Sequence, residues 1–283
     1  MRLLTRYADV SAVLADLRFV VPAPPPGWRP ATVGWLRATV SRFSTGETHE
    51  RRRAMVTGML AGLDPAAVRQ TAFDRVVGAP DRVTGAVDPA VPVRILASML
   101  GVPGAAVEVA VDAVAAVAPA YQPGSDVDAA DEAVGRLVTL LGGADEWTAN
   151  RIGVLVQAYQ PTAGLVANAV RAMGPAGPRH PVDAVLAETL RHDPPVRQTM
   201  RVVSAAALIG GVEIPAGAAV RLDLAAANRD PAVFASPERF DPGRPDRDAH
   251  LTFGAGLRPC PGRGIALALV AGLLQAALPD RVG

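Results

Sequence analysis

The 283-residue sequence predicts a mainly α-helical fold with a small β region inserted late, and three observations carry that reading. Apolar residues recur at helical spacing from Asp9 to His192, punctuated by Pro and Gly stops. Between Arg201 and Leu224 the texture changes to short β-type runs joined by Gly-Gly and Pro-Ala-Gly turns, as hairpins require. Half the residues are hydrophobic and only 19% are charged, enough apolar material for a sizeable core and too little charge for global disorder.

Each element has its own signal. Asp9–Asp16 is a short amphipathic stretch, followed by the Pro-rich loop PAPPPGWRP at Pro22–Pro30. A second helix starts near Thr45–Thr48 and carries HERRRAMVTGML. Asp64 is placed to cap the next, with Pro65 at its first position, where no N–H is needed. Pro92–Pro103 is a helix stopped by Gly101 and Pro103. Two Ala/Val-rich helical pieces fill Gly104–Gly143, broken at Tyr121–Asp126. Asp145–Met173 is the longest helical pattern, and Pro161 inside it removes one ladder hydrogen bond and predicts a kink. Val182–His192 is a further helix, ended by Asp193-Pro194-Pro195. A loop rich in Asp-Pro and Ser-Pro steps runs from Asn228 to Arg258, and an apolar helix over Gly262–Leu278 follows.

Composition narrows the function. The net charge is +1, which argues against a protein that works by gripping nucleic-acid phosphates. All 28 basic residues are arginine, a skew that, with the abundant Ala, Gly and Pro, points to a GC-rich bacterial genome. One cysteine cannot form an internal disulfide, and no Cys/His cluster has zinc spacing. The first residues, MRLLTRYADV, show no signal-peptide core, and no apolar run reaches membrane-spanning length. The expectation is a cytoplasmic protein with no nucleic-acid or membrane partner. Cys260 then has to be packing, a free thiol or a ligand.

The decisive segment runs from Phe253 to Gly262 and reads FGAGLRPCPG. Its glycines allow close backbone approach to a flat or large group. A cysteine just ahead of a helix sits in positive potential, which favours the thiolate. Arg258, two residues earlier, can pair with an anionic group on whatever the thiolate binds. By itself the segment also fits a buried cysteine beside a Gly-rich turn. As a whole it resembles the haem-binding loop of the haem-thiolate monooxygenases, the cytochrome P450 family. The resemblance implies a trimmed cytochrome P450-like fold, haem b (iron protoporphyrin IX) as cofactor, Cys260 as the iron ligand, and Phe253, Arg258 and Gly262 as cofactor-binding residues.

Further segments match in the same order. Glu188-Thr189-Leu190-Arg191 is similar to the family's ExxR motif; residues three apart share a helix face, so the pair forms readily, as it would on any solvated surface. HDPPVRQTMRV and Ala225–Phe240 look like the family's next segments. The resemblance implies a structural network of Glu188, Arg191 and Arg239, the last in the PERF segment. Haem carries two carboxylates, which need cationic donors. Four positions match: His49 and Arg53, four apart in HERRR, then Arg201 and Arg258. Without the other motifs, HERRR would read as a solvated basic patch.

The helix bearing Pro161 takes the place of the family's distal helix. The usual Ala-Gly-x-acid-Thr reads here Ala158-Tyr159-Gln160-Pro161-Thr162, so Thr162 matches the alcohol while the acid and the glycine are replaced. This departure falls where proton delivery is normally controlled. Thr162 and Gln160 are the candidate catalytic residues that remain.

The resemblance implies a single haem-thiolate domain over 1–283, in which 1–173 brings the propionate-binding and distal helices and 174–283 the haem cradle with the cysteine loop. A thin lid over Gly104–Gly143 and the absence of the family's first section and last β hairpins predict a wide distal site, suited to a large peptide-type or carrier-protein-bound substrate rather than a small apolar one. The implied function is oxidative tailoring in secondary metabolism, either hydroxylation or C–C, C–N or C–O coupling. Electrons would come from a separate ferredoxin and ferredoxin reductase, or from peroxide. Two rivals stand beside it: a degenerate relative acting as scaffold or activator of a partner enzyme, and a haem-binding sensor.

Overall fold

The computed structural model describes residues 1–77, 88–122, 128–174 and 180–277. Along the chain these form β1 (Arg2–Leu4), α1 (Tyr7–Ala15), β2 (Phe19–Val20), α2 (Val33–Thr39), α3 (Gly46–Ala61), α4 (Pro65–Val77), α5 (Ala90–Met99), α6 (Val107–Ala120) and α7 (Asp128–Leu141). Then come α8 (Glu146–Met173), α9 (Val182–His192), β3 (Gln198–Val203), β4 (Ala207–Ile209), β5 (Val212–Ile214), β6 (Ala219–Asp223), α10 (Leu224–Ala227) and α11 (Arg263–Ala277). The mainly helical class with a late β insertion is what the sequence predicts. Part of the expected break at Tyr121–Asp126, and Leu278 at the end of the expected last helix, lie outside the described residues.

The chain divides into two compact units: Met1–Pro22 with Gly164–Arg263, and Ala23–Ala163 with Gly264–Ala277. The first holds all the strands. Its sheet has the order β1-β6-β3-β2, with β1 parallel to β6 and the other pairs antiparallel. Beside it β4 and β5 form a hairpin through Gly210 and Gly211, whose φ values of 57° and 77° are those of a type I′ turn. Val10, Val13 and Leu14 lie on one stripe of α1 and are buried with Leu4, Phe19, Val203, Val220, Leu222 and Leu251. No side chain of its own N-cap closes α1; Asp230 does so from across the unit, accepting the Tyr7 N–H at 2.8 Å. That bond and one from the Ala232 N–H hold the Asp230 carboxyl below the usual carboxylate range, the Ala232 bond being the larger cause.

The second unit is helical. Asp64 accepts the Ala66 N–H at 3.0 Å ahead of α4, as expected. Two features escaped the sequence reading. The segment after the Pro-rich loop forms α2, whose N-cap Thr32 accepts the Trp35 N–H at 3.2 Å. The following Ser41–Phe43 is a 3-10 turn. Val111, Val114, Val117, Leu137, Ile152 and Leu155 are fully or almost fully buried and carry much of the core. Gly272 of α11 lies against the Arg69 carbonyl of α4 so closely that no Cβ fits. α8 runs its whole length across Pro161 as one helix, short of a single backbone rung to the Gln157 carbonyl. Among the described residues, no helix is long and apolar enough to cross a membrane.

Candidate functional site

In the first unit the ten residues from Phe253 to Gly262 form a loop that leads into α11. The loop is closed by its own backbone: the Cys260 N–H donates to the Phe253 carbonyl at 2.7 Å, and the Gly254 N–H donates to Leu251 at 2.8 Å. Gly254 and Gly256 have φ values of 72° and 61°, which glycine adopts without strain. Gly256 approaches the end of α1, where the Leu257 N–H donates to the Leu14 carbonyl at 3.2 Å. The Phe253 ring lies between His250, 6.0 Å away centroid to centroid, and the Arg263 guanidinium, 5.7 Å from its centroid. This arrangement presents Cys260 at the surface. The packing reading of the lone cysteine is therefore set aside.

Arg201 sits on β3, opposite Val220 of β6. It is 8% exposed, and its Nη1 donates to the Met200 carbonyl at 2.8 Å and to Thr199 Oγ1 at 3.2 Å. Phe253, Arg258, Cys260 and Gly262 thus share one loop, and Arg201 belongs to the same unit.

The same unit holds a buried ion cluster. Glu188 and Arg191 on α9 are both fully buried and pair bidentately, Nε to Oε2 at 2.8 Å and Nη2 to Oε1 at 2.7 Å. The third partner is Arg244, not Arg239. Arg244 is 6% exposed and its Nε donates to Glu188 Oε1 at 3.1 Å. The Arg239 side chain points outward, three-quarters exposed, with only Asp241 near it at 3.9 Å. Arg239 contributes its carbonyl instead, which accepts from Arg191 Nη2 at 3.1 Å and Arg244 Nη2 at 3.3 Å. The reason is demand: a buried carboxylate flanked by two guanidiniums needs every remaining donor and acceptor filled, and the Ala235–Arg239 turn supplies carbonyls while Arg244 supplies the fork. The sequence offers Arg239, Arg244 and Arg247 within nine residues, and only the turn between them tells which one points inward.

In the second unit, HERRR splits between two tasks. Arg51 and Arg52 both engage Glu146 at the start of α8, and Arg52 also donates to the Ala38 carbonyl at 2.7 Å and Ser44 Oγ at 2.6 Å. Burial, and to a lesser degree Arg51, pull Arg52 below the usual arginine range. His49 and Arg53, four apart on α3, share a helix face, and both are half-buried. On α8, Thr162 is buried and Gln160 is exposed. Residues two apart on a helix do not face each other, so the two candidate catalytic side chains address different surroundings. Gln157, one turn before Pro161, accepts from Arg42 Nη1 at 3.0 Å and donates to the Gly153 carbonyl at 3.0 Å.

The chain has counterparts among known proteins. Residues 180–278 match the family model of cytochrome P450. Protein DesVIII of Streptomyces venezuelae is 38% identical over 220 residues, covering 71% of this chain and 52% of that protein. Cyclomarin C epoxidase CymV of Salinispora arenicola is 38% identical over 100 residues, 35% of this chain and 25% of its own. Among solved structures, P450BioI in complex with an acyl carrier protein ligated to hexadec-9Z-enoic acid superposes with a TM-score of 0.79 at 21% identity, covering 98% of this chain and 85% of that one. CalO2 gives 0.79 at 22%, covering 97% and 81%. These two likenesses concern the fold. The chain belongs to the cytochrome P450 family. It spans about half the length of DesVIII and about a quarter of the length of CymV.

Haem is the cofactor of this family. The residues present fit it. Cys260 is exposed in the loop that leads into α11, and a cysteine thiolate is among the protein ligands that haem iron takes. The cations that the family resemblance assigns to its carboxylates are His49 and three arginines, and the guanidinium fork matches a carboxylate.

Proposed function

We propose that the chain is a haem-thiolate oxidoreductase of secondary metabolism that hydroxylates or oxidatively couples a large, peptide-type or carrier-bound substrate. The observation that carries the proposal is the cysteine loop: an exposed Cys260 whose N–H donates to the Phe253 carbonyl, in the unit that also holds the buried Glu188–Arg191 pair. When bound, haem supplies the oxidative chemistry. Cys260 would hold the iron, and Phe253 and Gly262 would bind the ring. Arg201 and Arg258 take the carboxylates in their unit, and His49 and Arg53 keep the same role on α3. Thr162, with its buried hydroxyl, is the group that holds a proton on α8, while Gln160 orders water at the exposed side. CymV, named an epoxidase of cyclomarin C, supports secondary metabolism. The acyl carrier protein in complex with P450BioI supports a carrier-bound substrate. A separate ferredoxin and ferredoxin reductase would supply the electrons that reduce dioxygen, the oxidant, or peroxide would take the place of both.

The test is the ferrous–carbonyl spectrum of the purified chain. The wild type should show the red-shifted Soret band of a thiolate complex, and Cys260→Ser should lose it. One observation favours a second reading: Tyr159 and Pro161 stand where the family places a glycine and an acid, so the chain is altered at the proton-handling segment. A scaffold or activator of a partner enzyme follows if the wild type takes up no haem. A sensor follows if the band is present but no product forms with any redox system or with peroxide.

A further inference from the structure

Every partner named for the ion cluster falls between Asn228 and Asp246, upstream of Phe253 and the cysteine loop. Something has to carry its rigidity forward. Asn228 is fully buried, and both ends of its side chain are used. Its Oδ1 accepts the Leu251 N–H at 2.7 Å, and its Nδ2 donates to Thr252 Oγ1 at 2.8 Å and to the Leu190 carbonyl at 3.3 Å. Thr252 Oγ1 in turn donates to the same Leu190 carbonyl at 2.6 Å. The backbone of Asn228 is pinned from the other side, its carbonyl accepting Arg191 Nη1 at 3.0 Å. Only an amide in this one orientation satisfies the set, because Leu190 offers a pure acceptor and Leu251 a pure donor.

We infer that Asn228 is the positioning residue that fastens the cysteine loop to α9, through Leu251 and Thr252, beside the direct Thr252–Leu190 bond, so that the ion cluster helps set the place of Cys260 through this amide. The path is continuous. Arg191 holds Asn228, Asn228 holds Leu251 and Thr252, and Phe253 follows directly and accepts the Cys260 N–H. That Cys260 is an iron ligand rests on the function proposed above; the relay itself does not.

Asn228→Asp keeps the size and the acceptor but removes both donors and sets a carboxylate against the Leu190 carbonyl. Thr252→Val removes the hydroxyl, and Thr252→Ser restores it. In the haem-free full chain, amide exchange is measured at Gly254, Leu257 and Cys260 and, for reference, at Val203 and Leu222 in the sheet. Asn228→Asp and Thr252→Val should each speed exchange in the loop about tenfold while the sheet amides stay as in the wild type, with Thr252→Ser close to wild type. In the haem-loaded chain the same two variants should lose part of the thiolate-type carbonyl band. The inference is overturned if loop and sheet amides accelerate together, if neither moves, or if Asn228→Asp keeps the full thiolate band. Should Asn228→Asp fail to fold, the Thr252 pair decides by the same comparison. If the wild type binds no haem, the proposed function fails and the exchange data alone judge the relay.

Discussion

A Cβ on Gly256 would stand 2.5 Å from the Leu14 carbonyl oxygen and 2.8 Å from Ala15 Cα, so the cysteine loop meets the end of α1 backbone against backbone. Neither side can rotate away, and the φ of 61° adds the cost of a left-handed residue. Gly256→Ala should therefore destabilise the chain by roughly 2–4 kcal/mol, from overpacking plus the backbone term. Gly254→Ala, whose Cβ would lie 3.2 Å from the Arg258 carbonyl, should cost less. Urea denaturation of the two variants side by side checks the order; equal losses would mean that the loop gives way at Gly256.

The replacement of Arg239 by Arg244 in the ion cluster separates two arginines five residues apart. Arg244→Ala leaves Glu188 short of a buried partner and takes one donor from each of the Ala235, Ser236 and Arg239 carbonyls, and should cost about 3–5 kcal/mol. Arg239→Ala keeps the carbonyl that the cluster uses and removes an exposed side chain, so it should change stability by less than about 0.5 kcal/mol. Chemical denaturation of both variants decides which arginine belongs to the network. Arg244→Lys should recover little, since an ammonium cannot span Glu188, Asp246 and the Ala235–Arg239 carbonyls at once.

What was legible in the sequence was whatever is local. Gly210-Gly211 announces its hairpin, Asp64-Pro65 its helix start, and the Glu188–Arg191 spacing its ion pair, because each is decided by residues within one turn of each other. Cys260 and its glycines were readable for the same reason, as a contiguous segment with a fixed order. Arg244 was not, since its inward direction depends on the turn at Ala235–Arg239. Asn228 was not either, because its partners Leu190 and Leu251 lie 38 and 23 residues away. α2 escaped because only seven residues follow the Thr32 cap, too few for an apolar period to show.

Tyr121 is fully buried against Phe43, and its hydroxyl has no hydrogen-bond partner among the described residues. Burial raises its pKa well above that of a free tyrosine, more than the nearby Arg42 and Arg37 lower it. A folded pKa above the unfolded value means stability that is whole below about pH 10, where free tyrosine ionises, and that is lost as pH rises beyond it. Tyr121→Phe should flatten that alkaline loss. At neutral pH it should leave stability unchanged or raise it by about 1 kcal/mol, because an orphaned hydroxyl is removed. Urea midpoints measured from neutral to about pH 11 test both parts; a large loss at neutral pH would mean that the hydroxyl is bonded after all.

His250 gives the opposite pH dependence. It is 6% exposed, its Nδ1 accepts the Thr252 N–H at 3.3 Å, and its buried Nε2 has no hydrogen-bond partner among the described residues. Burial first, and Arg263 second, lower its pKa to about 4, against a weaker upward pull from Asp248. Because the folded form binds the proton less readily than the unfolded chain, the stability this group contributes is complete above about pH 6.5 and is lost as pH falls towards 4. A difference of that size corresponds to roughly 3 kcal/mol at its limit. The ring packs on Phe253, whose carbonyl closes the cysteine loop, so the loop should loosen in step. His250→Gln keeps an acceptor for Thr252 without a titrating ring and should remove most of the slope between pH 6.5 and 4. Urea midpoints across that window give the slope for both proteins; an equal slope in wild type and variant would place the acid sensitivity on other groups.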